Sequence, residues 1–205
     1  MNNWGTTGTM TMTLLSIFLM TGVSSSVIFQ SIDDLSSDAE KIANEVIDEI
    51  TTYLKIDDVI GKYYTNNGVR RVERIVILVK QFIKNTVNMS DLTIKICSDK
   101  DVLLLGYSGH AEEYNSQTVF EHQIWEKTDN AFSLIAVIDT DKSLVNYSIM
   151  NGDLVFIAIK LPDGFTIGEN KDVTVSLIPG KGIVSSVILE VPSFHSSDII
   201  SFRGA

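Results

Sequence analysis

Residues Met10 to Phe29 read MTMTLLSIFLMTGVSSSVIF, 20 residues without a charge, Pro, Asn, Gln or His, inside an uncharged run from Met1 to Ile32. At about 1.5 Å of rise per residue this stretch makes a helix about 30 Å long, the thickness of a bilayer's hydrocarbon core. Met10, Met12, Leu14, Leu15, Ile17, Phe18, Leu19, Met20, Val23, Val27, Ile28 and Phe29 fall around its whole circumference. Each large side chain left in water forgoes roughly 1.5 to 3 kcal/mol of burial. The helix therefore belongs in a membrane, in a bundle of its own copies, or in one and then the other. Thr9, Thr11, Thr13, Ser16, Thr21, Ser24, Ser25 and Ser26, with Gly22 among them, are small or able to hydrogen-bond back to their own helix carbonyls. Helix-on-helix packing suits such a surface at least as well as lipid does, whereas a plain membrane anchor has no need of it.

Downstream, Ile32, Leu35, Ala39, Ile42, Val46, Ile50 and Tyr53 recur mostly at spacings of three and four, the rhythm of a helix packing one stripe. Asp33, Asp34, Asp38, Glu40, Lys41, Glu45, Asp48 and Glu49 take the other faces, and no Pro or Gly interrupts Val23 to Leu54. The pattern predicts one helix from about Thr7 to Leu54, about 70 Å long and so twice a bilayer. Upstream, nothing basic precedes Met10, and the apolar segment runs on into a helical pattern, so the stretch does not read as a removed secretory signal.

From Ile56 the grammar is β. A strand at Ile56–Tyr64 meets the turn Thr65-Asn66-Asn67-Gly68 and returns over Val69–Ile83, Asn-Gly being a strong hairpin signal. A second hairpin joins Leu92–Cys97 to Val102–Tyr107. Further strands are expected at Thr118–Trp125, Phe132–Asp139, Leu154–Lys160, Val173–Ile178, Ile183–Val191 and Ile199–Phe202. Short strands punctuated by Gly, Asn, Asp or Pro read as a two-sheet sandwich. The expected class is α+β: a long N-terminal helix with an apolar first half (1–54), then an all-β immunoglobulin-like sandwich (55–205).

The net charge is −10 and the 16 Lys and Arg are spread thinly, beginning at Lys41. Phosphate recognition needs clustered cations, which argues against nucleic acid as the partner. Like-charge repulsion suits an exposed, soluble surface. Cys97, the single cysteine, cannot form an internal disulfide, and its apolar alternation predicts a buried, inert thiol.

Chemistry-bearing residues are sparse. His110, His122 and His195 lack the spacing of a metal pair, and His110 with Glu112 and Glu113 reads as a solvated loop. Asp139, Asp141 and Asp153 offer oxygens that suit a hard cation, although a turn rich in Asp needs no metal. Gly180-Lys181-Gly182 lacks the rest of a phosphate-binding motif and reads as a hairpin turn. No Ser, His and acid arrangement emerges. The expectation is a protein without catalytic residues, cofactor or metal site. Two triplets, Asn88-Met89-Ser90 and Asn146-Tyr147-Ser148, are N-glycosylation candidates in turn-forming stretches.

Gly8-Thr9 followed by the apolar stretch and Ser31 resembles the start of archaeal flagellins (archaellins). The resemblance continues through Val72-Glu73-Arg74-Ile75-Val76-Ile77-Leu78-Val79-Lys80, Asp91-Leu92-Thr93-Ile94, Asn151-Gly152-Asp153-Leu154-Val155 and Ile178-Pro179-Gly180-Lys181-Gly182, and ends near Glu190-Val191-Pro192-Ser193-Phe194. Order and spacing carry it more than any single motif. It implies a subunit of the archaeal swimming filament, the archaellum, built like a type IV pilus from subunits whose leader is cut by a prepilin-type peptidase. It further implies apolar helices bundled in the filament core, sandwiches in the outer sheath, surface N-glycans and extracellular location. The implied partners are identical or closely related subunits, the membrane before assembly, and the archaellum assembly motor. Accessory subunits of the same machine or of the surface layer, and adhesive pilus subunits, are the alternative readings.

Overall fold

A computed structural model describes residues 4–66, 69–81, 86–146, 148–149, 152–165, 167, 171–192 and 197–204, without the side chains of 4–9, 22–29, 48, 50–51, 66, 69, 145 and 203–204. The chain divides into two compact units, Met1–Ile47 and Asp48–Ala205.

The first element is the helix α1 (Trp4–Thr51), 48 residues with no break where the apolar run gives way to the charged half. Neither end carries charges that complement the helix dipole. It stops at Thr51-Thr52-Tyr53, a β-branched and aromatic run that favours strand over helix.

The second unit is mostly β. Its strands are β1 (Leu54–Asn66), β2 (Val69–Gln81), β3 (Val87–Asn88), β4 (Thr93–Cys97), β5 (Val102–Leu105), β6 (Tyr107–Glu113), β7 (Phe132–Ile138), β8 (Ser148–Ile149), β9 (Leu154–Lys160), β10 (Asp172–Ile178), β11 (Ser185–Glu190), β12 (Ile199–Ser201) and β13 (Arg203–Gly204). A six-stranded sheet runs β12-β1-β2-β9-β7-β6, a five-stranded sheet runs β13-β11-β10-β4-β5, and β3 and β8 make a two-stranded ribbon. The β1–β2 hairpin pairs Asn66 with Val69, and its turn residues Asn67 and Gly68 lie outside the described residues. Pairing is antiparallel except between β6 and β7.

Alternation places the core. Leu54, Val59, Ile75, Ile77 and Ile157 from the larger sheet meet Ile94, Ile96, Val175, Leu177 and Leu189 from the smaller one in a single apolar cluster. On the other face of the larger sheet, Val76, Ile135 and Ala158 are covered by Val119, Phe120, Ile124 and Trp125. The middle strands of that sheet are therefore apolar on both faces, which is why Ile75, Val76 and Ile77 are all fully buried in succession.

That covering segment corrects the strand expected at Thr118–Trp125. It forms two short 3-10 turns, Val119–Glu121 and Gln123–Glu126. Its apolar residues come as adjacent pairs rather than alternating, so a strand would turn half of them to water. As turns they cap the sheet, with Phe120 and Trp125 stacked at 6.2 Å and the Arg74 guanidinium 5.0 Å above the Trp125 ring. The polar loop expected around His110 is instead the edge strand β6, whose alternation is hidden because it is largely solvated. Cys97 also departs from expectation: it is half-buried, since the inward positions of β4 belong to Ile94 and Ile96.

Candidate assembly surface and carboxylate cluster

On α1, the apolar side chains expected to form an interface are exposed: Met10 71%, Met12 78%, Leu14 56%, Leu15 66%, Ile17 59%, Phe18 75%, Leu19 62% and Met20 76%. They follow one another without a polar face, so no rotation of the helix hides them. The burial they forgo is on the order of 10 to 20 kcal/mol. Val23, Val27, Ile28, Phe29 and Ile50 have side chains outside the described residues. In the second half, Ile32, Leu35, Ala39, Ile42 and Val46 are likewise exposed, and the structure adds Ile47 to that set.

Hydroxyls on this surface turn inward to the helix backbone. Thr13 Oγ1 donates to Met10 O at 3.0 Å, Ser16 Oγ to Thr13 O at 2.9 Å, and Thr21 Oγ1 to Ile17 O at 2.9 Å and Phe18 O at 3.1 Å. Each polar group is thereby satisfied without water, which makes the surface fit for an apolar environment. Among the described residues no helix is long and apolar enough to cross a membrane. The described apolar side chains from Met10 to Met20 span about 16 Å, half a hydrocarbon core.

Immediately after the helix the chain is clamped within the second unit. The carbonyl of Thr52 accepts from the Ile183 N–H at 3.0 Å, Tyr53 and Ile183 form a parallel bridge, and Ser185 Oγ donates to Leu54 O. Gly182 makes this closeness possible: its φ is +115°, and a Cβ there would stand 2.2 Å from Thr52 O. Sequence reading sees Gly180-Lys181-Gly182 as a turn and has no signal for its partner.

Asp139, Asp141 and Asp153 are brought together, with carboxylate oxygens all within 4.8 Å of one another. Ser143 organises them: its N–H donates to Asp139 at 3.0 Å and Asp141 at 2.9 Å, and its Oγ donates to buried Asp153 at 3.1 Å. Burial, and then the charge of Asp153, push the Asp139 carboxyl above its ordinary value, whereas hydrogen bonds from Ser143 hold Asp141 below its own. Such an oxygen set has the chemistry a hard cation takes.

Neither described histidine joins the carboxylate cluster. His122 is buried, its Nδ1 accepting from Ile124 N–H at 3.1 Å and its Nε2 lying 2.9 Å from Glu113 O, so both ring nitrogens are taken up by the backbone. His110 is exposed on β6, and His195 lies outside the described residues. Glu112 stands near His122: burial raises its pKa, but hydrogen bonds from Lys127 and Gln123 outweigh that and hold it low.

Both glycosylation candidates are exposed, Asn88 closing β3 and Asn146 in the short turn before β8. The two triplets meet at the ribbon, where Asn88 pairs with Ser148.

No protein-family profile matches the sequence. Among solved structures, the chain is similar to the crystal structure of archaeal flagellin FlaB1 from Methanocaldococcus jannaschii, with a TM-score of 0.64 and 16% identity over 73% of this chain and 95% of that one. It is also similar to the archaeal flagellum of Methanospirillum hungatei strain JF1, with a TM-score of 0.64 and 15% identity over 92% of this chain and 95% of that one. The chain thus has the fold of archaeal flagellins.

Proposed function

We propose that this chain is a non-enzymatic structural subunit of an archaellum, polymerising through α1. The observation that carries the reading is the apolar, solvent-exposed circumference of α1 between Met10 and Met20, on a chain with the flagellin fold. Before assembly the apolar half sits in the membrane; on assembly it leaves lipid for neighbouring copies, one apolar environment for another at little hydrophobic cost. Packing then decides the direction. The contacts are heterologous and do not close, so they propagate into a helical fibre rather than a ring. An assembly motor at the membrane feeds subunits to the growing end. The second unit, with its two sheets sharing one core, serves as an immunoglobulin-like sandwich in the outer sheath, outside the cell. Its Asn88 and Asn146 carry N-glycans, and the net charge of −10 keeps filaments apart.

The test places a charge in the proposed core. Leu15→Asp or Leu19→Lys introduces an unpaired charge into a dry interface, at several kcal/mol per subunit, and repetition along the fibre multiplies the effect. Filaments should vanish from sheared cells under electron microscopy while the second unit keeps its β circular dichroism. Normal filaments from either variant would refute the role given to α1.

A further inference from the structure

Within the second unit, a groove of about 820 Å³ opens between the residue following α1, the β3 ribbon and the β10–β11 turn, walled by Thr52, Thr86, Val87, Asn88, Asp91, Pro179, Gly180 and Lys181. Its size falls among small-molecule sites, about 300 to 1,000 Å³. Its wall is about as apolar as polar: Val87 and Pro179 stand beside hydroxyls, an amide, a carboxylate and an ammonium, and the polar groups are partners that sugar hydroxyls take. One wall residue is itself a sugar acceptor by sequence, Asn88 of Asn88-Met89-Ser90. Its neighbours Val87 and Met89 are buried at 2% and 0% exposure, which anchors Asn88 from both sides. Its Oδ1 accepts from the Ser90 backbone N–H at 3.0 Å, so the amide nitrogen is not used in that bond.

We infer that the groove seats the first sugars of a glycan borne on Asn88, and that this glycan braces the Thr52–Ile183 contact. The inference rests on the reading of Asn88 as a glycan acceptor, and not on filament formation. A sugar tethered to the wall is held at a high effective concentration, so contacts too weak to capture a free sugar suffice. It lies between two close approaches: a Cβ at Gly180 would stand 2.7 Å from Asp91 Cβ, and one at Gly182 2.2 Å from Thr52 O. Filling the groove ties Asp91, Lys181 and Thr52 together and slows opening of the Ile183 N–H bond to Thr52 O. Attachment takes a lipid-phosphate-linked sugar as donor. The Asn88 nitrogen bonds to the anomeric carbon, the bond from that carbon to phosphate oxygen breaks, and the lipid phosphate leaves with the amide's proton. Asn146 supplies an internal control, two residues before the Ser148 that pairs with Asn88 but not in the groove wall.

The chain is purified from its native cells as wild type, Ser90→Ala and Ser148→Ala. Ser90→Ala abolishes the first triplet yet keeps Asn88 and the backbone N–H that holds its side chain. Intact mass and glycopeptide mapping establish occupancy, and amide hydrogen exchange then follows Thr52–Leu54 and Gly180–Ile183. Exchange in those segments should quicken about tenfold in Ser90→Ala and stay within about twofold of wild type in Ser148→Ala. An occupied Asn88 with unchanged exchange in Ser90→Ala overturns the bracing and the seat while leaving glycosylation intact. A bare Asn88 in the wild type overturns the acceptor reading, and the inference with it.

Discussion

Replacing Gly182 by Ala tests how closely the chain is held just beyond α1. The new Cβ would stand 2.2 Å from Thr52 O and 2.7 Å from Thr52 Cβ, at a φ of +115°. Its first obstacle is backbone and cannot swing away as a side-chain tip would. If Gly182 abandons its dihedral, the cost of a left-handed residue, about 1 to 2 kcal/mol, is traded for distortion of the turn. If Thr52 withdraws instead, the Ile183 N–H bond at 3.0 Å is lost, and the buried Ser185 hydroxyl bonded to Leu54 O is disturbed with it. A net hydrogen bond is worth about 0.5 to 1.5 kcal/mol, and a buried unsatisfied group costs about 1 to 3 kcal/mol. The combined loss is about 2 to 5 kcal/mol, or about 5 to 15 °C in Tm for a chain of this size. Scanning calorimetry of the full chain in one mild detergent measures it. Gly109→Ala separates strain from collision, because Gly109 has φ +81° but nothing within 4 Å of its Cβ position. Should Gly182→Ala unfold no earlier than Gly109→Ala, the close approach to Thr52 is not a stabilising contact and the reasoning fails.

Asp139→Asn should raise Tm at neutral pH. The folded pKa of Asp139 lies above its ordinary value, so the folded state binds the proton more tightly. Stability falls as pH rises from the ordinary value through the folded one, and the penalty is complete above it. The gain in the variant should therefore shrink as the pH is lowered; a lower Tm at pH 7 would show that the three carboxylates attract a cation more than they repel one another. Trp125→Ala should cost about 3 to 5 kcal/mol in denaturant unfolding, since Trp125 is 5% exposed and its Nε1–H donates to Val119 O at 2.9 Å. A loss under about 1 kcal/mol would mean the two turns do not cap the sheet. Met12→Ala and Phe18→Ala remove side chains 78% and 75% exposed, so each should stay within about 0.5 kcal/mol of wild type in the detergent-dispersed chain. A larger fall would reveal a partner for them within the single chain.

Much of the second unit is legible from alternation and turn chemistry. Leu154–Lys160 has the limits its apolar run suggests, and β1 and β2 meet where Asn-Gly stands between them. The order of a helix followed by strands is equally plain. Alternation fails where a segment covers a sheet instead of joining it, as Val119–Glu126 does, because its contacts are with Val76, Ile135 and Ala158, far away in sequence. It fails again at β6, a solvated edge with little apolar content, and at the two-residue ribbon of β3 and β8, too short for any period. Of the sites, the exposed apolar helix is visible in composition alone. The carboxylate cluster is only half visible: Asp139 and Asp141 are neighbours in sequence, but Ser143, which holds all three acids, carries no motif. The approach of Gly182 to Thr52 leaves no trace in spacing, since it depends on a φ that sequence does not state.

The hydroxyls of α1 are taken up by their own backbone at Thr13, Ser16 and Thr21. Laid against a second copy, these three side chains then offer methyl and methylene surface rather than a hydroxyl proton, and such surface packs nearly as well after a slip of one turn, about 5.4 Å. In the fibre proposed above, these three hydroxyls would therefore not set the offset between neighbouring helices, and Thr13→Ala or Ser16→Ala should leave its spacing where it was.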